Sequence, residues 1–248
     1  MYLAENFIME LIAIVVGLIL LLKGGDWLMK SAVAISLGLN ISRFVIGMTV
    51  VSFATSAPEL IVSIQAAVSG FPDLAFGNVI GSNIANLAFV LAIIIMISPI
   101  NVGENFYKKD WPMMMGATIL FYLFIVFDKE LNRYEGIIMV LILLIFLFYL
   151  IKFQKSDNID DVIDDKKRLT TFNTLIYLFL GGFSLWLGSE VLVKGAVELA
   201  TKLGVSERII SISVVSIGTS IPELSASIIA IANKEKAISL GNLIGSNI

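Results

Sequence analysis

Two elements of this sequence occur twice at a constant separation, and they decide the fold. In the first copy they read ATSAPE at residues 54–59 and GNVIGSN at 77–83; in the second copy they read GTSIPE at 218–223 and GNLIGSN at 241–247. Each position of the first copy lies 164 residues before its counterpart, so the copies align without a gap between the elements. A duplicated hydroxyl-Pro-Glu element within apolar segments indicates two related halves.

The composition indicates a membrane protein and excludes several kinds of site. Of the 248 residues, 58% are hydrophobic and 15% charged, and the mean hydropathy is +0.94; soluble domains are about 45–50% apolar and about 25% charged. The net charge of −3, without a basic stripe, argues against nucleic acid as a partner. Because the chain has no Cys and no His, a metal bound through side chains must be a hard cation held by oxygen.

Apolar windows predict eight membrane helices, each of about the 20 residues that cross about 30 Å of hydrocarbon. Their predicted ranges are 7–36, 43–69, 73–98, 111–127, 134–151, 172–201, 206–232 and 237 onward. The first and sixth segments exceed the required length and are expected to be tilted. The first is interpreted as a span, because it lacks the basic start and the cleavage site of a secretory signal.

These segments predict an all-α polytopic membrane protein with two inverted-topology repeats of five transmembrane helices, the second truncated in helix eight. Residues 1–152 would form the first repeat, 153–170 a cytoplasmic linker loop, and 171–248 helices six to eight of the second repeat. Since five is an odd number, the second copy enters the membrane from the opposite side, and substrate sites are expected near the midplane. By this symmetry we expect the second repeat to be complete only near about residue 315.

Basic residues in the loops predict the orientation, because Lys and Arg concentrate on the cytoplasmic side. With the N-terminus outside, the inner loops would hold Arg43, Lys108, Lys109, Lys152, Lys155, Lys166, Lys167, Arg168, Lys234 and Lys236. The outer loops would hold Lys129, Arg133, Lys202 and Arg208. The prediction is a multi-pass protein of the cell membrane with its N-terminus outside and its central loop in the cytoplasm.

The two glutamates of the repeated element, Glu59 and Glu223, are the strongest candidates for function. A carboxylate at the bilayer centre costs about 2.5–3.5 kcal/mol, and neither motif segment contains a basic residue to pair with it. Pro58 and Pro222 lack an N–H and are expected to break their helices, which would free carbonyl groups around Val51, Ser52, Val215 and Ser216. The adjacent hydroxyls belong to Thr55, Ser56, Thr219 and Ser220.

Carboxylate, hydroxyl and carbonyl oxygens within one helical turn predict a site for a hard cation, since calcium takes six to eight oxygens and sodium accepts the same donors. Two facing carboxylates in a low dielectric repel each other, so the empty site is disfavoured until one divalent or several monovalent cations enter. A protein that is reluctant to change sides while empty would exchange cations obligatorily.

Glycines at GxxxG spacing predict close helix packing. Gly77 and Gly81 would bring helix three to helix two, and Gly241 and Gly245 would bring helix eight to helix seven. This packing would carry Ser82, Asn86 and Ser246 toward the glutamates. The side chains of Asn78, Asn83, Asn242 and Asn247 are expected to satisfy broken-helix backbone rather than to bind ions.

Both elements, their order and the inverted repeat resemble the sodium/calcium exchangers of the cation/calcium exchanger superfamily, particularly the short prokaryotic members. The resemblance covers essentially the whole chain. It implies that Glu59 and Glu223 are the central calcium ligands and that helices one and six slide as the gate. It also implies that the calcium and sodium sites are completed by Thr55, Ser56, Thr219, Ser220, Ser82, Ser246 and Asn86, with carbonyls near Ser52 and Ser216.

The sequence departs from the family pattern at one position and leaves another open. Ala54 stands where the second repeat has Gly218 and the family usually has Gly. The counterpart of Asn86 would be residue 250, and in the family that residue bears on which cations are coupled.

Two further charged features have open interpretations. Asp26 with Lys30 and Glu190 with Lys194 are pairs of i,i+4 spacing, related by the same 164 residues, and are either snorkelling ion pairs or part of the gate. Five aspartates of the central loop, Asp157, Asp160, Asp161, Asp164 and Asp165, fit a solvated linker better than a regulatory calcium site, because they lack the Asp-x-Asp-x-Asp-Gly pattern.

The predicted function is secondary active antiport of sodium against calcium by alternating access, in a monomer without cofactor or enzymatic activity, whose partners are these ions and the lipid bilayer. The alternative is a proton-coupled cation exchanger in which the same glutamates carry protons. An intramembrane hydrolase is disfavoured because its acid protease form needs two Asp in distinct protonation states. A passive channel is disfavoured because the sequence contains no recognisable selectivity filter.

Overall fold

The structure, a computed structural model, describes residues 2–70, 72–100, 102–104, 106–128, 130–153, 169–205 and 218–248. Throughout these ranges the regular structure is helical. The helices are α1 (Tyr2–Leu39), α2 (Arg43–Val68), α3 (Pro72–Ile97), α4 (Trp111–Asp128), α5 (Arg133–Phe153), α6 (Thr171–Lys202), α7 (Ile221–Ala232) and α8 (Lys236–Gly245). The predicted helices are confirmed, apart from the first part of the seventh at residues 206–217, which lies outside the described residues.

Six helical segments of the described chain are long and apolar enough to cross a membrane. They are Ile8–Leu39, Arg43–Val68, Pro72–Ile97, Phe106–Val126, Arg133–Lys152 and Thr171–Lys202. The fourth of these includes a π turn, Phe106–Asp110, that precedes α4. The chain is therefore a multi-pass membrane protein.

The two longest helices, α1 with 38 residues and α6 with 32, pack against each other in antiparallel fashion. Their backbones touch at glycines. A Cβ on Gly181 would lie 2.7 Å from the backbone nitrogen of Leu28, and a Cβ on Gly188 would lie 2.9 Å from the carbonyl oxygen of Gly17. Because only glycine permits this approach, the sequence makes α1 and α6 a closely joined pair. Glu10 near the start of α1 also forms an ion pair with Lys202 at the end of α6.

The second close contact joins the two halves through α2 and α8. A Cβ on Gly241 would collide with the carbonyl of Phe44, and a Cβ on Gly245 would collide with the carbonyl of Met48. The prediction that these glycines face helix seven is therefore wrong: they face the first part of α2. No atom of another described helix lies within 4 Å of a Cβ built on Gly77 or Gly81, so the predicted role of that pair gains no support.

The two prolines of the repeated element have different effects on their helices. Pro222 stands in the first turn of α7, directly after a turn at Thr219 and Ser220, so the chain is interrupted as predicted. The prediction of a break at Pro58 is wrong, because α-helix continues from Ser52 to Val68. A π turn, Gly47–Val51, directly precedes this segment. Local π adjustments and neighbouring helices are the means by which membrane helices accommodate proline.

Candidate ion-binding site

The side chains of the two repeated elements meet between α2 and α7. The hydroxyl of Ser56 on α2 donates a hydrogen bond of 2.8 Å to Oε1 of Glu223 on α7. Glu223 is fully buried, whereas Glu59 is only partly buried, and the two carboxylates lie close enough to interact electrostatically. Each half of the chain therefore supplies one carboxylate to a shared site.

Two asparagines hold the glutamate backbones in the same way in both halves. Asn78 Nδ2 donates to the carbonyl of Glu59 at 3.2 Å and to Ser63 Oγ at 2.9 Å. At positions 164 residues later, Asn242 Nδ2 donates to the carbonyl of Glu223 at 3.4 Å and to Ser227 Oγ at 3.0 Å. Both asparagines therefore donate to helix backbone as predicted, although α2 is not broken at Glu59, and the repeat in sequence is also a repeat in three dimensions.

Several predicted site residues carry buried oxygen atoms without a protein partner. Among the residues that the structure describes, eight buried polar side-chain atoms lack a hydrogen-bond partner. Five of the eight are Glu59 Oε2, Asn86 Oδ1, Ser220 Oγ, Glu223 Oε2 and Ser246 Oγ. Buried polar atoms are nearly always paired. This concentration of unpaired oxygens therefore indicates a ligand that is coordinated by oxygen atoms.

The charge of the site is also uncompensated by protein. Within the described ranges neither Glu59 nor Glu223 forms a salt bridge. In the same ranges no third acidic side chain joins them to form a group that could hold a metal ion. Two carboxylates supported by hydroxyl and amide oxygens match the preference of hard cations such as calcium and sodium.

The backbone carbonyls of the site differ from the prediction. The carbonyl of Ser52 is not free, because Thr55 Oγ1 donates to it at 3.1 Å, and the same hydroxyl lies 3.1 Å from Oδ1 of Asn242. In the second half, proline removes the bond to the carbonyl four residues earlier, which is that of Gly218. Ser189 Oγ on α6 donates to this carbonyl at 3.0 Å. Val215 and Ser216 lie outside the described residues.

A cavity of about 350 Å³ leads to one side of the site. Its lining comes from α2, α3, α6 and the start of α7, and it includes Glu59, Asn78 and Thr219. Glu223 does not contribute to the lining, in agreement with its complete burial. The site is thus approached from the side of Glu59 and closed around Glu223.

Three further predicted residues are placed as follows. Asn86 is 2% exposed and begins a second π turn, Asn86–Val90. Ser82 is partly buried and donates to the carbonyl of Val79 in its own helix, at 3.1 Å. Asn247 donates to the carbonyl of Leu243 at 2.7 Å, which fits its predicted structural role.

The two i,i+4 charge pairs are not alike. Asp26 and Lys30 form an ion pair of 2.7 Å with exposed side chains. Glu190 and Lys194 instead line the cavity, and no hydrogen bond or ion pair joins them to each other or to another described residue. The aspartates of the central loop, between 157 and 165, lie outside the described residues.

Some contacts around the site are not predicted by the sequence. Ser189 and Glu190 come from α6, far from both repeated elements in sequence, and Asn242 contacts Thr55 in addition to its own half. The 164-residue offset offers no signal for Ser189, because its counterpart is Gly25.

Apolar helices in inverted repeats around a pair of carboxylates, one fully and one partly buried, define a membrane transporter for cations. The family model described as "Sodium/calcium exchanger protein" matches residues 9–152 and 173–248. The chain belongs to this family and is a cation/calcium antiporter.

Individual relatives agree with this assignment. CaxA of Alkalimonas amylolytica, named as an antiporter, is 37% identical over 243 residues that cover 96% of this chain and 76% of CaxA. The sodium/calcium exchanger MaX1 of Methanosarcina acetivorans is 29% identical over 285 residues that cover 98% of this chain and 79% of MaX1. The solved sodium/calcium exchanger of Methanococcus jannaschii has a TM-score of 0.81 at 30% identity, covering 97% of this chain and 78% of that protein.

Proposed function

We propose that the protein exchanges sodium for calcium across the membrane by alternating access, with Glu59 and Glu223 as the central calcium ligands. The observation that carries this proposal is the set of buried, unpartnered oxygens on Glu59, Asn86, Ser220, Glu223 and Ser246. The names of MaX1 and of the Methanococcus jannaschii protein, both sodium/calcium exchangers, support the choice of ions.

Electrostatics explains why the transport would be an exchange. Two carboxylates in a water-poor site, with no basic partner among the described residues, are unfavourable unless about two positive charges are bound. One calcium ion or at least two sodium ions supply this charge. The loaded forms can therefore change sides, whereas the empty form is held back by unpaired charge.

The other predicted residues have defined parts in this proposal. Ser56, Thr55 and Ser220 supply hydroxyl oxygens next to the carboxylates, as Thr219 would from the wall of the cavity. Asn86 and Ser82 supply oxygens from α3, and Ser246 supplies one directly after α8. The carbonyl of Ser52 is left out of the ligand set, because Thr55 Oγ1 donates to it. Asn78 and Asn242 hold the backbone that carries the glutamates.

The position of the cavity supports a proposal for which side of the membrane is open. It lies toward the end of α6, the face on which Glu10 meets Lys202. With the N-terminus outside and the central loop in the cytoplasm of a cell-membrane protein, this face is extracellular. The proposal then makes this structure the outward-facing state, and the joined helices α1 and α6 would move to open the other face.

The remaining elements of the proposal follow the predicted organisation. Residues 1–152 and 171–248 belong to the two repeats, connected by the linker at 153–170. In this proposal the protein acts as a monomer. It needs no cofactor or enzymatic step, because charge balance in the site is sufficient for coupling.

Radiolabelled calcium uptake into proteoliposomes loaded with sodium tests the coupling ion. The full-length protein is reconstituted, and an ionophore collapses any proton gradient. We expect uptake that requires internal sodium and stops when sodium is replaced by a large organic cation. Uptake that requires a proton gradient and ignores sodium would replace sodium coupling by proton coupling, and uptake without any counter-ion would contradict antiport.

A further inference from the structure

The wall of the cavity carries two charged residues of α6, Glu190 and Lys194, in addition to Glu59. Helix α6 runs for 32 residues, or about 48 Å, and ends at Lys202. At about 1.5 Å per residue, Glu190 lies about 18 Å and Lys194 about 12 Å along the axis from that end. Glu190 is therefore at hydrocarbon depth, while Lys194 is one turn nearer to the mouth of the cavity.

A carboxylate at this depth needs water or a counter-charge. An ionised side chain facing lipid costs several kcal/mol, and such groups usually line water-filled pathways. Glu190 has no ion pair within the described part of the chain, although Lys194 is at the spacing that favours one. Both side chains face the cavity, which indicates that the wall of α6 is hydrated.

The corresponding pair in the first half shows that the spacing of the two charges does not by itself keep them apart. Asp26 and Lys30 occupy the equivalent positions of α1 and form an ion pair of 2.7 Å. The pairs share their spacing and the order of their charges. They differ in surroundings, since only Glu190 and Lys194 belong to the lining of the cavity.

The position of Glu190 relative to the ion site is fixed by its neighbour. Ser189 is 8% exposed and donates a hydrogen bond of 3.0 Å to the carbonyl of Gly218, the residue before Thr219. This bond attaches α6 to the repeated element of the second half. Glu190 thus stands beside the approach to Glu59 and Thr219, which line the same cavity.

We propose that Glu190 forms an approach site for the incoming cation and that the ammonium of Lys194 competes with this cation for the carboxylate of Glu190. This inference rests on the proposed cation exchange. A cation that enters the cavity meets the carboxylate of Glu190 first and moves on to Glu59 and Glu223. Without a cation, the ammonium of Lys194 is one helical turn away and can swing toward Glu190; its long side chain can equally extend toward the aqueous mouth.

The expected signature is a change in apparent affinity rather than in maximal rate. Charged groups along an access route alter the local concentration of ions and the rate of encounter, and their effect decreases with ionic strength. Glu190 is not among the ligands of the central site, so the bound state that changes sides remains intact without it.

The test compares variants of the full-length protein in vesicles in which calcium is added at the cavity face. Glu190→Gln is expected to raise KM for calcium about threefold to tenfold, with the maximal rate within about twofold of wild type. Glu190→Asp keeps the charge and should stay near wild type, and Lys194→Gln should lower KM. The matched control is Asp26→Asn, which removes the equivalent charge of α1 outside the cavity and should leave KM at this face unchanged.

A second measurement separates an electrostatic role from a structural one. The difference in KM between wild type and Glu190→Gln should shrink as an inert salt is raised from low to high concentration. A wild-type KM in Glu190→Gln, an equal effect of Asp26→Asn, or a loss of maximal rate without a change in KM would each overturn the approach site. Failure of the wild-type protein to exchange calcium would instead overturn the proposed function, so the two failures are distinguishable.

Discussion

Ser56 Oγ lies 2.8 Å from Oε1 of Glu223, and this hydrogen bond crosses from the first half of the chain to the second. The equivalent bond, from Ser220 to Glu59, does not occur within the described residues, because Ser220 Oγ has no partner there. The fully buried carboxylate thus accepts a hydrogen bond from the opposite repeat at Oε1, whereas the carboxylate at the cavity accepts none from Ser220. Oε2 of each glutamate has no partner among the described residues. The presence of the bond to Glu223 and the absence of its equivalent at Glu59 match a site that is open on one side only.

Replacing Ser56 by Ala should weaken calcium binding. The change removes a donor to a buried carboxylate, and hydrogen bonds to charged groups contribute about 1.5–3 kcal/mol, which corresponds to about a 10- to 150-fold loss of affinity. Calcium-dependent uptake and the calcium-induced gain in Tm would both measure it. Ser31→Ala is the control, since among the described residues that buried hydroxyl donates to the carbonyl of Leu28 in its own helix. Equal effects of both variants would argue against a role for Ser56 in the site.

Glu59→Gln and Glu223→Gln should each abolish calcium exchange. Each variant removes one of the two carboxylates that balance a divalent ion, and it also relieves repulsion between them. The Tm without ions should therefore rise or stay equal, whereas the stabilisation by calcium should disappear, since a ligand stabilises only the state that binds it. Glu104→Gln, at an exposed ion pair with Lys108, serves as the control. Near-normal transport by either site variant would refute the assignment.

Gly241→Ala should destabilise the junction between the two halves. A Cβ there collides with the carbonyl of Phe44, so the backbones of α8 and α2 must separate. Overpacking of this kind costs about 1–3 kcal/mol, more than the gain in helix propensity. Gly116→Ala in α4 provides the contrast, because no atom of another described helix lies within 4 Å of its Cβ. This variant should stabilise the protein by up to about 1 kcal/mol. Thermal unfolding in detergent measures both, and the prediction is refuted if the two variants behave alike.

Breaking the ion pair between Arg43 and Glu235 should favour opening of the face opposite the cavity. The pair links the start of α2 to the loop before α8, and its side chains are 30% and 12% exposed. Lys236 adds a bond to the carbonyl of Pro99 at 2.9 Å on the same face. Arg43→Gln or Glu235→Gln leaves a poorly hydrated charge, at a cost of about 1–3 kcal/mol, and the double variant should recover part of it.

A double-mutant cycle measured by unfolding tests this coupling. The control cycle uses Lys108 and Glu104, which are 68% and 84% exposed and should show a coupling near zero. Labelling of a cysteine introduced on the closed face should also become faster in Arg43→Gln. A coupling energy no larger than that of the control pair would show that Arg43 and Glu235 do not hold this face closed.

The sequence by itself determined the helices, the two-fold repeat and the carboxylates. Hydropathy reports the free energy of each segment in the bilayer, and the 164-residue offset relates the two halves without any knowledge of their packing. The backbone contacts of Asn78 and Asn242 also follow from the sequence, because each contact lies within one half and recurs at the same offset.

Only the tertiary structure decided which residues meet across the halves. Gly241 packs on α2 instead of α7, Ser189 of α6 bonds the carbonyl of Gly218, and Glu190 lines the cavity although its counterpart Asp26 is paired with Lys30. These contacts join helices that are distant in sequence, and their geometry depends on how whole helices pack. Likewise Pro58 and Pro222 have the same local chemistry but different outcomes, because neighbouring helices and a π turn hold α2 continuous, whereas α7 begins anew after Ser220.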